Sequence, residues 1–407
     1  MDVRTGQSVV DLKIANRCLI LRAIVENPLI SRGALASATK LSKMSVSNII
    51  SEFSEMGMVQ EINREHPCSG GPGRKAGLLD LADSSPCMLG VLITRRNVQV
   101  ALSDLRARIL RLEQRDYTPA MNAAALLEMM LKAIDAVRRG FDRRILGVGL
   151  TAMGPVSKEH GTILSPSNFF GLHDVPVVEA VHAHTGLPVF FASDSMAAAQ
   201  AEKLLGEGRG HANFLFLLIH EGIGCGVIIN DRPYTGAHGL GGEMGHTSID
   251  LNGPKCSCGS RGCLELYAST DRMLRHIRAR LPQGAPMPVR HWEDIWRAAT
   301  GGMPEAISAV EEYCDALSCA LANMINVFDP ELIYLYQHAD READEMMMRM
   351  LAERINRRAL ARDCRRTEVR RASFGEQATL IGALALAIAH VFDGELSFYP
   401  EEVQTNA

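Results

Sequence analysis

One short loop concentrates the side chains of this sequence most able to do chemistry. The stretch "GHTSIDLNGPKCSCGSRGCLE", Gly245 to Glu265, holds one imidazole, three thiols and a carboxylate. His246, Cys256, Cys258 and Cys263 are the donor set of a closed tetrahedral zinc site, and the neighbouring Gly253, Gly259 and Gly262 let the chain wrap tightly. Four protein donors leave no open position, so such a zinc is structural, not catalytic. Glu243 and Glu265 flank the donors without being needed to complete them. Two carboxylates on a metal-stapled loop suit a ligand with several hydroxyls, such as a sugar. A third carboxylate, Asp194, ends the apolar run "PVFFASD". There it can accept a hydrogen bond from a ligand hydroxyl or act as a base, and the plainer alternative is a helix N-cap. Gly222, Gly224 and Gly226 in "HEGIGCG" permit a tight turn and close approach of backbone to ligand.

The elements that must position these residues alternate strands and helices from Cys87 onward. "MLGVLI", "VQVALSDL" and "ILRLEQRDY" read as consecutive strands, followed by a helix over residues 122–139. "ILGVGLTAMGPVS" and "GTILSP" read as strands, and a helix is expected to start near Val175. The buried strand "PVFFASD" runs into the helix "SMAAAQAEKLLG". "FLFLLI", "CGVIIND" and "RPYTG" open a second round of strands. Helices dominate after Glu265, interrupted by "ELIYLYQ" and "EVRRASF". Two β-rich starts, each followed by helices, predict a duplicated α/β architecture with a cleft between halves. The cleft belongs near the carboxyl ends of the strands.

Residues 11–59 read differently, as three short helices. Ile14, Cys18, Leu21 and Val25 recur at helical spacing in the first. Ser31 caps a second helix, with Leu35 and Ala38 on one face, and Ser42 caps a third that Gly57 stops. Val46, Ile49, Ile50, Phe53 and Met56 form the third helix's buried stripe, leaving Lys43, Ser45, Ser47, Asn48 and Ser51 outward. Short hydroxyl and amide side chains on an exposed helix suit base edges and phosphates. "GMVQEI" and "AGLLDL" then make a hairpin around "NREHPCSGGPGRK", a glycine-rich basic tip with Arg74 and Lys75. Three helices and such a wing, in this order, predict a winged helix-turn-helix that binds DNA over residues 1–82.

Composition sets limits on both units. Hydrophobic residues make up 47% and charged residues 22% of 407, ordinary for globular domains with buried cores. The formal net charge of −4 leaves DNA contact to a local basic patch. The sequence shows no apolar run of the roughly 18 residues needed to span a bilayer. "MDVRTGQSVVDLK" has no apolar signal core, which predicts a cytoplasmic protein. In that compartment ten cysteines point to thiols or metal ligands and away from disulfides.

"GLGGEMGHTSIDLNGPKCSCGSRGCLE" resembles the signature of the ROK family (repressors, open reading frames and kinases). Glutamate, zinc histidine, three cysteines and final glutamate all fall in the family order. The likeness extends through "SPSNFFGLHDVPV", "GLPVFFASDSMAAAQAE" and "LANMINVFDPELIYL", and the N-terminal unit with "SGGPGRK" resembles the repressor branch. The resemblance implies a ribonuclease H-like, actin-type fold over residues 83–407. It also implies a homo-oligomeric, sugar-responsive transcription factor acting on operator DNA, a repressor of carbohydrate-utilisation genes. It assigns sugar contacts to Gly154, Asn168, Asp194, Glu243, His246 and Glu265, so His246 serves both zinc and sugar.

The departures from the family bear on catalysis. Family kinases open the domain with an Asp-x-Gly-x-Thr turn for ATP phosphates, where this chain has Leu92, Thr94 and Arg96. A second Gly-Thr-Gly turn is His220, Glu221 and Gly222, and an expected glycine triplet is Tyr336, Gln337 and His338. The family's Asn-Asp pair is Ser193-Asp194. These losses predict a sensor without kinase activity. Two other readings stand beside it: an active sugar kinase fused to a DNA-binding module, and a repressor titrated by a protein that docks on the zinc loop.

Overall fold

The computed structural model describes residues 9–62, 77–118, 121–166, 169–219 and 222–398. The chain opens with α1 (Val9–Glu26), β1 (Ile30–Ser31), α2 (Arg32–Thr39), α3 (Lys43–Glu55), β2 (Val59–Ile62) and β3 (Leu78–Leu81). The strands form an antiparallel sheet of order β1-β3-β2, which makes this unit a winged helix. Both expected caps are present. Ser31 Oγ accepts from the Ala34 amide at 3.2 Å and Ser42 Oγ from the Ser45 amide at 3.1 Å. Gly57, just past α3, takes the left-handed conformation at φ 65°.

Three expectations about helix faces need correction. Ala38 is exposed, and Thr39 is buried beside Leu35 because its hydroxyl donates to the Leu35 carbonyl at 2.7 Å. Ile14 stays 40% exposed, since the buried face of α1 begins a turn later at Cys18. Ile49 and Met56 are only half-buried, while Val46, Ile50 and Phe53 are fully enclosed. Arg74 and Lys75 lie outside the described residues.

The larger unit starts with β4 (Cys87–Ile93), β5 (Asn97–Ser103), β6 (Ile109–Asp116), α4 (Ala123–Arg138), β7 (Ile145–Ala152), β8 (Val156–Ser157) and β9 (Thr162–Ile163). Next come α5 (Val177–Thr185), β10 (Val189–Ser193) and α6 (Asp194–Leu205). The second half contains β11 (Phe214–Ile219), β12 (Ile223–Ile229), β13 (Arg232–Pro233), α7 (Thr270–Arg280), α8 (Trp292–Thr300) and α9 (Pro304–Phe328). It ends with β14 (Leu332–Gln337), α10 (Arg341–Arg358), β15 (Glu368–Arg371) and α11 (Ala378–Phe392). "GTILSP" contributes only the two residues of β9, paired with β8.

One sheet has the order β10-β7-β4-β5-β6 and the other β13-β12-β11-β14-β15. Each starts with an antiparallel meander of three strands and adds parallel strands beside the first. The repeated order is the duplicated ribonuclease H-like, actin-type topology. Helices α6 and α11 pack against each other between the sheets. Gly382 makes this crossing possible, because a Cβ there would stand 2.8 Å from the Ala197 carbonyl carbon and the Ala198 amide nitrogen. The segment Gly375–Phe392 is apolar and long enough to cross a membrane by composition, contrary to the sequence expectation. It is instead a core helix: its apolar side chains are used up by α6 and the first sheet.

Helix α11 also reaches the winged helix. It packs on α1, and Phe398 beyond it meets Phe53 edge-on with ring centroids 5.7 Å apart. On the same side Arg106 donates to the carbonyls of Val25 and Ile24 at 2.9 and 2.8 Å and pairs with Asp80 at 2.6 Å.

Candidate functional site

Five of the expected ligand contacts line one cavity of about 370 Å³ between the two sheets: Gly154, Asp194, Glu243, His246 and Glu265. Asn168 lies outside the described residues. The five arrive from four places. Asp194 is the first residue of α6 at the carboxyl end of β10, and Gly154 follows β7. Glu243 and His246 come from a short 3₁₀ turn, and Glu265 from a second one that follows Cys263. The glycine at 154 has a local reason. A Cβ there would stand 2.8 Å from Glu243 Oε1, so any other residue displaces that carboxylate.

The carboxylates share a confined space that disfavours their charge. Asp194 is half-buried in the cavity lining. Burial pushes its carboxyl up to about 7, nearby Glu243 adds to the rise, and the Ser195 amide at 2.7 Å and Arg95 oppose it. The Ser195 contact is made within the first turn of α6, to Asp194 Oδ1. Glu243 is also raised, by burial, with His246 pulling it down and Glu265 pushing it up.

The four zinc-type donors meet in one place. His246 Nδ1 and the Cys256, Cys258 and Cys263 sulfurs all lie within 4.8 Å of one another. Cys258 and Cys263 sulfurs are 3.6 Å apart, and Cys256 Sγ is 3.7 Å from His246 Nδ1. A tetrahedron with zinc–sulfur bonds of about 2.3 Å has edges of about 3.8 Å, so the cluster fits one such ion. Backbone bonds wind the loop into this shape, including Cys256 N to Ser260 O at 2.8 Å and Leu264 N to Thr247 O at 2.9 Å. Glu265 proves closer than its flanking position suggested. Its Oε1 lies 3.5 Å from Cys256 Sγ and 3.4 Å from His246 Nδ1, so it touches both cluster and cavity.

With this geometry in place, comparison with known proteins is decisive. Residues 88–390 match the sequence model of the ROK family. The chain belongs to the ROK family. Residues 15–60 match a winged helix-turn-helix DNA-binding domain. The chain is 28% identical over 385 residues to the xylose repressor of Bacillus subtilis (strain 168), covering 94% of this chain and 97% of that one. It is 30% identical over 280 residues to a glucokinase of Thermotoga maritima, covering 66% of this chain and 86% of that one. Among solved structures it resembles a ROK family transcriptional regulator, a homologue of E. coli MLC, with a TM-score of 0.78 and 28% identity. That match covers 94% of this chain and 97% of the other.

Two features of this ROK chain were misjudged or missed by sequence. Gly224 and Gly226 lie beyond the turn itself, although Gly224 lines the cavity beside Gly222. They lie in β12, where added Cβ atoms would stand 2.7 Å from the Ser195 Cβ and 2.4 Å from the Ala199 Cβ, so they let α6 lie flat on the strand. Gly222 does line the cavity, facing Arg95, while His220 and Glu221 lie outside the described residues. Arg95 was the missed residue. The sequence "TRRN" offers two arginines and nothing in it says that Arg95 is the one acting on Asp194.

The turn between β4 and β5 is closed on itself. Thr94 Oγ1 accepts from the amides of Arg96 and Asn97 at 3.1 and 3.0 Å, so those donors are already engaged. Tyr336 and His338 both line the cavity, and His338 Nε2 lies 3.4 Å from Glu293 Oε1. On the DNA-binding unit, Lys43 and Asn48 are exposed and Ser45 and Ser47 half-exposed. Ser45 Oγ shares a 2.9 Å hydrogen bond with Ser42 Oγ, so part of its capacity serves the cap. Met44, passed over in the sequence because it is apolar, is 75% exposed on the same helix start.

Proposed function

We propose that this chain is a cytoplasmic DNA-binding transcriptional repressor whose kinase-derived domain senses a sugar or sugar derivative. The observation that carries the reading is the convergence of Gly154, Asp194, Glu243, His246 and Glu265 on one cavity, in a chain that also carries a winged helix. Three carboxyl groups and an imidazole around one cavity form a polyol-recognising set, with carboxylate oxygens able to accept from ligand hydroxyls. Asn168 completes the proposed sugar contacts. Lys43, Ser45, Ser47, Asn48, Arg74 and Lys75 form the proposed DNA contact, α3 reading base edges and the wing holding phosphates.

His246, Cys256, Cys258 and Cys263 would hold one structural zinc per chain, which supplies folding energy to a loop poor in apolar residues. His246 and Glu265 connect that staple to the cavity, so loop order and ligand recognition go together. Relatives that are repressors support operator DNA and a sugar effector as partners, and two-fold operators suit a homo-oligomer.

A kinase reading has one observation in its favour. Asp194, with a carboxyl near neutrality, is suited to take a proton from a bound hydroxyl. Phosphoryl transfer, however, depends on positioning and neutralising nucleotide phosphates, and the self-closed Thr94 turn leaves fewer amides for that task. The deciding experiment is a thermal-shift screen of sugars on the whole protein, followed by operator release and a coupled ATP assay with the best ligand. Ligand-dependent release without turnover supports the sensor. Turnover abolished by Asp194→Asn would overturn it in favour of the kinase.

A further inference from the structure

The zinc-type loop carries a chemistry that tetrahedral coordination does not use. Its three sulfurs differ in access: Cys256 and Cys263 are buried, and Cys258 is exposed. Cys258 Sγ stands 3.6 Å from Cys263 Sγ. The four residues between them hold this approach. Gly259 and Gly262 take left-handed conformations at φ 95° and 64°, and a Cβ at Gly262 would stand 1.8 Å from the Asp250 carbonyl oxygen. The Cys256 amide closes the base of the turn on the Ser260 carbonyl at 2.8 Å.

This spacing suits one sulfur–sulfur bond better than another. A disulfide has its sulfurs about 2.05 Å apart, so Cys258 and Cys263 must close by roughly 1.5 Å. Cys256 and Cys258 are separated by a single residue, and a bond between them would close a small, strained ring. Cys256 Sγ is instead turned towards Glu265 Oε1 at 3.5 Å and His246 Nδ1 at 3.7 Å. Access then selects the sulfur that reacts first. As a metal ligand Cys258 is a thiolate, and its exposure admits a small oxidant that the buried sulfurs do not meet. Cys364, the other exposed thiol among the described residues, lies outside the cluster.

We infer that Cys258 is a site of oxidation by hydrogen peroxide, and that Cys263 converts the product into a disulfide that dismantles the metal loop. The inference goes beyond the sugar-sensing reading and takes only its donor set from the zinc reading. The Cys258 sulfur attacks one peroxide oxygen, the O–O bond breaks, and hydroxide leaves as water after taking a solvent proton. Cys258 is then a sulfenic acid. The Cys263 sulfur attacks the Cys258 sulfur, the S–S bond forms, the S–O bond breaks, and a second hydroxide leaves as water with a second proton. Two thiolates, one hydrogen peroxide and two protons become one disulfide and two waters, with both electrons supplied by the sulfurs. His246 and Cys256 are left as the only donors, too few for a tetrahedral site. The change reaches the ligand cavity because Cys263 directly precedes the turn that carries Glu265, and Glu265 and His246 both line that cavity. Peroxide thereby acts on ligand recognition through the loop and not through the DNA-reading helix.

The test treats zinc-loaded, full-length protein with hydrogen peroxide, following zinc with a chromogenic chelator and the cysteines by peptide mapping. One equivalent of zinc released per Cys258–Cys263 disulfide is expected, reversed by a dithiol reductant with added zinc. Hydrogen exchange across residues 245–265 should speed up at least tenfold in step with the release. Cys263→Ser should accumulate a dimedone-trapped sulfenic acid at Cys258 in place of the disulfide. Cys68→Ser/Cys364→Ser, which removes two thiols outside the cluster, should release zinc at a rate within twofold of the wild type. Zinc retained while Cys364 is oxidised, or a mapped disulfide that does not join Cys258 to Cys263, overturns the inference. Protein isolated without metal that still forms this disulfide would remove the zinc reading and leave the oxidisable pair standing.

Discussion

Glu243 shows how one residue's position depends on the absence of another's side chain. Gly154 leaves the space into which the Glu243 carboxylate projects, so Gly154→Ala should move that carboxylate without unfolding the chain. Sugar affinity is expected to fall about as far as in Glu243→Ala. There, losing a charged hydrogen-bond partner costs roughly 1.5–3 kcal/mol of binding. Titration of both variants checks this, and normal affinity in Glu243→Ala would remove the residue from the site. Asp194 makes a different, pH-dependent prediction. Its folded carboxyl titrates near 7 against an ordinary 3.8, so the folded state holds the proton more tightly than the unfolded chain does. That contribution to stability is fully present below about pH 4 and is lost as pH rises through 7. Asp194→Asn, which mimics the neutral form, should therefore raise the melting midpoint at pH 8 and leave it nearly unchanged at pH 4. The gain should be on the order of 1 kcal/mol, because the group keeps some contact with water. Melting curves across that range, flat in their difference, would contradict the assignment. A third constellation shows that connectivity is not function. Ser308, His276 and Glu312 are linked in the order of a hydrolytic triad, with His276 Nε2 3.0 Å from Ser308 Oγ. But Ser308 sits inside α9, where the backbone amides that would stabilise an oxyanion are consumed by the helix, and Arg272 shares Glu312. It is a clamp between α7 and α9.

The elements that sequence reveals best are those punctuated by local chemistry. Ser31 and Ser42 cap the helices they precede, because a hydroxyl one residue before a helix satisfies an otherwise orphaned amide whatever lies around it. The zinc-type loop was legible for the same reason: its donors lie close in sequence and their spacing is itself the geometry. What failed was decided by contacts between distant segments. Thr39 replaces Ala38 in the core because it can hydrogen-bond to its own helix, Gly226 serves the packing of α6, and Gly224 serves both α6 and the cavity. The same reasoning sets the predictions for elements. Cys258→Ser should lose the bound zinc, measured by elemental analysis. The 245–265 loop should then lose protection from hydrogen exchange, and sugar response should fall with it although Cys258 does not line the cavity. A metal-free wild type that still senses its ligand would contradict this. On α3, Asn48→Ala and Met44→Ala should change which operator bases are preferred, through amide hydrogen bonds and thymine methyl contact respectively. A wing variant, Arg74→Ala/Lys75→Ala, should weaken all sequences alike and reduce the salt dependence. Binding selections on the three proteins separate the two behaviours.

At the scale of the molecule, the duplicated sheets create the cleft, and α11 connects it to the DNA-binding unit. Glu376 and Thr379, at the start of that helix, line the cavity. Its other end, roughly 22 Å away at 1.5 Å per residue, packs on α1. A change in the angle between the halves therefore has a rigid element through which to reach the winged helix, provided the two units are held together. Arg106 is the clearest such tether. It donates to the carbonyls that end α1 and pairs with Asp80 in β3, so one guanidinium grips helix and wing from the larger unit. Its partly buried setting makes those charged hydrogen bonds worth roughly 1.5–3 kcal/mol to the docked arrangement. Arg106→Ala removes the grip without touching either the cavity or α3. Operator affinity should stay within a few-fold of the wild type, because the DNA-reading face is intact. Sugar affinity should also be unchanged, because none of the cavity's lining is altered. What should fall is the coupling between them: the concentration of sugar needed to release operator rises, or release becomes incomplete, while hydrogen exchange at the end of α1 speeds up. Measuring both affinities and the release curve on one preparation isolates that term. A variant with faster exchange at α1 and an unaltered release curve would show that Arg106 stabilises the contact without transmitting the signal, and would direct attention to the Phe53–Phe398 contact instead.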